Sequence, residues 1–158
     1  MPEGPETKRM ADSLSRAIKK KKIVSAKFLY PTVQALNSLK DISVLDVLAK
    51  GKSIIIRLSI GKSIITHNQL YGKWTVNYLK TKIRHNRKLR IEFNTKKKVA
   101  RLWSATDIIL LESEMEHRHH YLKNLGPDIL SDSISKYDVI DRLRSKSYFN
   151  KNLGGSLL

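Results

Sequence analysis

The chain contains no cysteine, so it can form no disulfide and can supply no thiolate to a zinc or iron–sulfur centre. It has no apolar run of membrane-spanning length and no apolar h-region near its start. The expectation is a soluble, cytoplasmic protein without a membrane partner. Acids are scarce: 14 Asp plus Glu stand against 31 Lys plus Arg, a formal net charge of +17. A surplus of that size points to a polyanion, most often nucleic acid, because neutralising phosphates releases counterions. Proline and glycine are few, at 4 and 7 residues, which excludes a low-complexity chain. The apolar content of 41% over 158 residues is globular. It suffices for one domain with a core and the beginning of a second. The basic residues are dispersed rather than held in a tail, so the charge belongs on a folded body.

Two of the four prolines stand in the first hexapeptide, Met1-Pro2-Glu3-Gly4-Pro5-Glu6. With the initiator Met removed, the chain starts on the secondary amine of Pro2, with the Glu3 carboxylate directly behind. Such an amine can attack a carbonyl-like carbon while the acid protonates the departing oxygen. The product is a cationic iminium, an electron sink from the outset. Pro5 suits the first turn of a helix, where a missing N–H costs nothing. That helix would aim its positive end at the terminus and complement Glu3 and Glu6. The same residues also make an ordinary helix start, and the hexapeptide alone leaves both readings open.

Met10, Ala11, Leu14, Ala17 and Ile18 recur at helical spacing, and Lys19-Lys20-Lys21-Lys22 ends the helix as a solvated terminus or a phosphate contact. Strands are predicted over 23–30, 42–48, 53–58, 63–67, 73–78, 88–93 and 99–103. Gly61-Lys62 and Asn94-Thr95 stand at turns. Leu89, Ile91 and Phe93 alternate with Arg90 and Glu92 as in a half-buried strand. Trp74 and Trp103 lie on strand patterns and read as core. Close strands without intervening helices predict a mainly β fold, a two-layer antiparallel sandwich with the N-terminal helix at its edge. Beyond Asp107 the pattern changes. Residues 112–120 read as a short helix or loop, Gly126-Pro127-Asp128 as a breaker, and Ser135 to Asp138 as a capping box opening a further helix. A second helix is expected to begin near Lys151, and Gly154-Gly155-Ser156-Leu157-Leu158 breaks off within its pattern.

Two more segments could carry chemistry. Lys50-Gly51-Lys52 suits a tight hairpin that presents Lys52 at its tip, as a surface Lys or as a proton shuttle. His67-Asn68-Gln69-Leu70-Tyr71-Gly72 offers an amide, an aliphatic wedge and an aromatic. These could enter a duplex behind an extruded base, or Leu70 and Tyr71 could be core residues at a strand end. His117, His119 and His120, spaced i, i+2, i+3, do not share one helical face, so no metal site is expected.

In this order and at these separations the pieces resemble the formamidopyrimidine-DNA glycosylase/endonuclease VIII family, on its bacterial endonuclease VIII side. Ser104-Ala105-Thr106-Asp107 and Leu125-Gly126-Pro127-Asp128 belong to the same resemblance, which runs over essentially the whole chain. It implies a base excision repair enzyme, a bifunctional glycosylase and abasic-site lyase acting on oxidised pyrimidines. Pro2 would be the Schiff-base nucleophile at sugar C1′, Glu3 the acid that opens the ring, Lys52 the proton donor for β,δ-elimination and Glu6 a supporting carboxylate. Gln69, Leu70 and Tyr71 would fill the void left by the flipped nucleotide. The implied partner is double-stranded DNA with oxidised bases or abasic sites, bound by a monomer associated with a bacterial nucleoid. Asn124, beside Lys123, stands where the family carries a DNA-contacting Arg, so that phosphate contact would be weakened or moved. The implied organisation is a catalytic β-sandwich over 1–122, a linker over 123–134, and an incomplete helix-two-turns-helix domain over 135–158. The family's zinc or zincless finger would then be absent, and no cofactor is expected in this chain. Two other functions compete: a shortened, non-catalytic remnant that binds nucleic acid by charge, and a basic RNA-binding or ribosome-associated β-domain.

Overall fold

The computed structural model describes residues 3–126, 128 and 134–145. Pro2 and the helix expected near Lys151 lie outside the described residues. The chain divides into two compact units, Met1–Glu116 and His117–Leu158.

The first unit opens with α1 (Gly4–Ile18), which carries Pro5 in its first turn. Glu6 accepts a hydrogen bond from the Glu3 N–H at 3.1 Å, satisfying a donor that the helix itself cannot use. Ala11, Leu14, Ala17 and Ile18 are buried and form the stripe anticipated from their spacing. Burying a side chain of the size of Leu14 or Ile18 contributes about 1.5–3 kcal/mol. On the other face Lys8 and Asp12 pair at 2.7 Å one turn apart. The helix stops at the lysine run, where Lys20 takes a left-handed φ of +53°.

Eight strands follow: β1 (Ser25–Phe28), β2 (Val44–Lys50), β3 (Ser53–Leu58), β4 (Lys62–His67), β5 (Lys73–Tyr78), β6 (Leu89–Asn94), β7 (Lys98–Trp103) and β8 (Asp107–Glu112). They form two four-stranded antiparallel sheets, ordered β1-β6-β7-β5 and β2-β3-β4-β8. The predicted antiparallel sandwich is therefore present. Its core joins Phe28, Phe93 and Trp74 to Ile54, Ile56 and Ile64. Phe28 and Phe93 meet edge to face at 5.5 Å between centroids. α1 packs along the sheet-edge strand β2 and also reaches β7 and β5 in the other sheet. Its edge placement thus helps to close the sandwich.

Three features depart from the sequence reading. A 3-10 segment, Pro31–Ser38, intervenes between β1 and β2 and buries Val33 and Leu36. Its Thr32 hydroxyl donates to the Ile108 carbonyl at 2.6 Å. The eighth strand lies beyond the seven anticipated. Its apolar run Ile108-Ile109-Leu110-Leu111 does not alternate, so period two could not reveal it. Glu92, expected on a solvated face, is 6% exposed. It accepts from Arg101 Nε at 2.5 Å and from Asn94 at 2.8 Å. Burial pushes its carboxyl upward, but these hydrogen bonds and the Arg101 and Lys27 charges outweigh that and hold it below its ordinary value.

In the second unit, Leu122–Asn124 is a 3-10 turn and α2 spans Lys136–Arg144. The expected capping box is present: Ser135 Oγ accepts from the Asp138 N–H at 3.2 Å, and Asp138 accepts from the Ser135 N–H at 3.0 Å.

Candidate catalytic site

The hairpin between β2 and β3 pairs Lys50 with Ser53, leaving Gly51-Lys52 as a two-residue turn. Gly51 has φ +56°, a backbone conformation that a residue with a Cβ adopts only at a cost. The turn projects Lys52 toward the start of α1, where Lys52 Nζ lies 2.8 Å from Glu3 Oε2. Glu3 is held from three sides. Its N–H donates to Glu6, and its carbonyl accepts from both the Thr7 N–H and the Thr7 hydroxyl at 2.9 Å. Thr7 is 1% exposed, so the clamp is anchored on a buried residue while the Glu3 side chain stays exposed. Glu6 is in turn braced by Arg9 at 3.2 Å. Pro2, next in sequence to Glu3, lies outside the described residues. An ammonium in contact with a carboxylate, beside a helix N-terminus, is an arrangement able to pass protons at one point.

The His67–Gly72 segment joins β4 to β5. Gln69 takes a left-handed φ of +49°, which is strained for a residue with a side chain. The turn is closed by Gly72 N–H donating to the Asn68 carbonyl at 2.7 Å. A Cβ on Gly72 would meet that carbonyl oxygen at 2.5 Å, so the close approach excludes any larger residue. Thr106 donates to Gln69 Oε1 at 3.0 Å, and Arg87 donates to the Tyr71 carbonyl at 2.6 Å. Leu70 and Tyr71 are 72% and 71% exposed. The reading of these two as core residues fails; the backbone that carries them is anchored and their side chains stand in solvent. Trp74 and Trp103 are in the interior as expected. A cavity of about 280 Å³ opens between Glu6 and Thr7 on α1 and Asn68, Leu70 and Gly72 on the loop. α1 therefore links the Glu3–Lys52 contact to the exposed wedge within one unit.

Several contributors were not visible in the residue pattern. Thr7 anchors Glu3, while Thr106 and Arg87 brace the loop; all three act through contacts distant in sequence or through a backbone atom. Arg57 grips Glu116 with two hydrogen bonds of 2.9 and 2.8 Å, and the Ser63 hydroxyl donates to the same carboxylate at 2.5 Å. Burial raises the Glu116 carboxyl, yet Arg57, Ser63 and the Lys50 charge at the base of the hairpin hold it low overall. Asn124 belongs to the second unit, where its amide donates to the His120 carbonyl at 3.1 Å. His119 is buried there and stacks on His120 at 4.3 Å.

Comparison with known proteins fits this geometry. The family model described as the formamidopyrimidine-DNA glycosylase N-terminal domain matches residues 1–105. The whole chain aligns at 36% identity over 159 residues with Endonuclease 8 of Klebsiella pneumoniae (strain 342), and equally with that of Enterobacter sp. (strain 638). In both cases the match covers 60% of the relative, so the chain spans about three fifths of their length. In fold it is similar to the Lactococcus lactis formamidopyrimidine-DNA glycosylase bound non-covalently to DNA containing an abasic site. That match has a TM-score of 0.68 at 18% identity, over 87% of this chain and 53% of that one. A MutM structure in complex with DNA containing carbocyclic 8-oxo-G is matched at a TM-score of 0.66 and 20% identity, over 80% of this chain and 51% of that one. With two thirds of its length matched, over residues 1–105, this chain belongs to the family of the formamidopyrimidine-DNA glycosylase N-terminal domain.

Proposed function

We propose that this chain carries the reaction centre of a DNA repair enzyme, a bifunctional glycosylase and abasic-site lyase that acts on oxidised pyrimidines in double-stranded DNA. The observation that carries the reading is the 2.8 Å contact between Lys52 and Glu3, two residues brought together from a hairpin tip and a helix N-terminus. The amine of Pro2, freed by removal of Met1, forms a bond to sugar C1′ as the bond from C1′ to the damaged base breaks, and the proton lost by the nitrogen leaves with the base. Glu3 donates a proton to the ring oxygen as the C1′–O4′ bond opens, and the nitrogen lone pair completes the iminium. Loss of a C2′ proton then drives electrons toward that cation and expels the 3′ phosphate. Loss of a C4′ proton expels the 5′ phosphate in the same sense, and water hydrolyses the remaining adduct. Lys52, in contact with Glu3, returns the proton that Glu3 has given up and supplies protons during the eliminations. Glu6 holds the backbone of Glu3, and Gln69, Leu70 and Tyr71 enter the duplex beside the reacting nucleotide.

Borohydride reduction tests the reading, because it converts the iminium to a stable amine. The expected result is a covalent adduct between the protein and a duplex carrying an abasic site, abolished when Pro2 is replaced. Duplexes with an oxidised thymine or 8-oxoguanine then read the lesion preference, and the oxidised thymine is expected to be processed faster. Absence of a Pro2-dependent adduct overturns the assignment. Salt-sensitive, lesion-blind binding without strand cleavage would leave this chain as a charge-driven nucleic-acid binder.

A further inference from the structure

Two lysine runs that are distant in sequence converge on one groove. Lys21 and Lys22 follow α1, while Lys96, Lys97 and Lys98 occupy the turn from β6 into β7. Together with Ala17, Tyr78 and Thr95 they line a cavity of about 470 Å³. No acidic residue lines it. Among the described residues, none of these five lysines takes part in an ion pair. Lys19, two positions before Lys21, does pair, with Asp46, so the acid-free character belongs to the groove itself. Five cations gathered without counter-charge repel one another, a cost that an anionic ligand removes.

The groove also has an aromatic wall. Tyr78 is 65% exposed, and the Lys98 ammonium lies over its ring at 3.4 Å from the centroid. That contact orients the ring with one face against a cation. The floor is formed in part by Ala17 and Thr95, which are both buried. An aromatic beside a track of lysines matches the chemistry of a single nucleic-acid strand, with a base stacked on the ring and phosphates on the ammonium groups. An acidic peptide offers charge without a planar face. Position separates this groove from the reaction centre: Glu3 precedes α1 and Ala17 sits in its last turn, about 20 Å away at 1.5 Å per residue.

We infer that the groove formed by Lys21, Lys22, Lys96, Lys97 and Lys98 beside Tyr78 is a second nucleic-acid site, which binds a single phosphodiester strand independently of any lesion. It goes beyond the proposed chemistry and does not depend on it. The experiment measures binding of the full chain to fluorescent oligothymidylate without an abasic site, as a function of salt. Replacing Lys21, Lys22, Lys96 and Lys97 together by Ala is expected to flatten the slope of log affinity against log salt by about 3, at roughly 0.7 per lost single-strand phosphate contact. A charge-matched control that replaces Lys40, Lys82, Arg84 and Lys88, four exposed cations outside the groove, by Ala is expected to change the slope much less. Tyr78→Ala is expected to weaken binding roughly tenfold, and Tyr78→Phe to leave it intact, because stacking needs the ring and not the hydroxyl. Lys52→Ala is expected to retain binding, so failed adduct trapping and failed strand binding give different results. All the exchanged groove side chains are exposed, and a thermal melt of each variant checks that the fold is retained. An unchanged slope in the quadruple variant overturns the inference. So does equally tight binding of polyglutamate with the same dependence on Tyr78, which would assign the groove to acidic peptides.

Discussion

Two carboxylate–cation contacts of similar length differ sharply in burial. Arg101 meets Glu92 at 2.5 Å with side chains 14% and 7% exposed, whereas Lys52 meets Glu3 at 2.8 Å with side chains 26% and 59% exposed. The first pair lies across two neighbouring strands of one sheet, has Asn94 as a further donor and is closed off from solvent. The second joins a hairpin tip to a helix N-terminus and remains open to anything that approaches. The difference shows why contact distance alone assigns no role. A buried pair is costly to break and useless to a substrate, while an exposed pair contributes little stability and is available for chemistry.

The sharpest way to break the comparison is to exchange the roles. Lys52→Ala or Glu3→Gln is expected to slow strand cleavage at an abasic site by about 10²–10⁴-fold, the range for a lost acid–base group. The melting free energy should move by less than about 1 kcal/mol, as for an exposed pair. If cleavage survives and stability collapses, the Glu3–Lys52 contact is structural. Arg101→Ala should do the reverse. Denaturant unfolding is expected to show a loss of about 3–5 kcal/mol, because a buried carboxylate is left without its partner. Borohydride trapping of the remaining folded protein should persist.

Acid titration separates the pairs by sign. The Glu92 carboxyl is held below its ordinary value in the folded chain, so the unfolded chain binds its proton first. The stability from this pair is present above the ordinary carboxylate range and is lost as pH falls through the lowered folded value. Glu92→Gln is therefore expected to flatten the dependence of melting temperature on pH from about pH 4 downward. A variant that follows the wild-type acid curve would show that other carboxylates dominate.

The smallest expected effect concerns the exposed loop. Leu70→Ala should change stability by no more than about 0.5 kcal/mol, because its side chain is in solvent. It should weaken binding to a duplex with an abasic site without affecting oligothymidylate. Gln69→Gly relieves a left-handed backbone and is expected to raise stability by up to about 1 kcal/mol in a thermal melt. A large loss from either substitution would mean that the loop packs as core.

Local chemistry made much of the fold legible. The stripe from Met10 to Ile18 announced α1, Gly51 announced the hairpin, and the β-rich runs announced seven of the eight strands. β8 escaped because a continuous apolar run has no period to read. The segment Pro31–Ser38 escaped because its 3-10 turns are held by packing and by the Thr32–Ile108 contact, not by a helical stripe. Glu92 was misread because alternation reports which face a residue occupies, and not whether that face is covered. At the site, residue types and spacing singled out Glu3, Lys52 and the Gln69-Leu70-Tyr71 loop. Thr7, Arg87 and Thr106 left no comparable mark, since two of them act on backbone carbonyls and the third on a side chain distant in the chain.

By itself the sequence determined the sandwich class, the basic surface, the helix start and the residue types able to do iminium chemistry. Each of these follows from composition or from short-range periodicity. Only the tertiary structure decided that Lys52 reaches Glu3, that Leu70 and Tyr71 face solvent, and that two lysine runs share one groove. Those outcomes depend on how strands and helix pack across long separations, where burial and partner geometry act and no local pattern reaches.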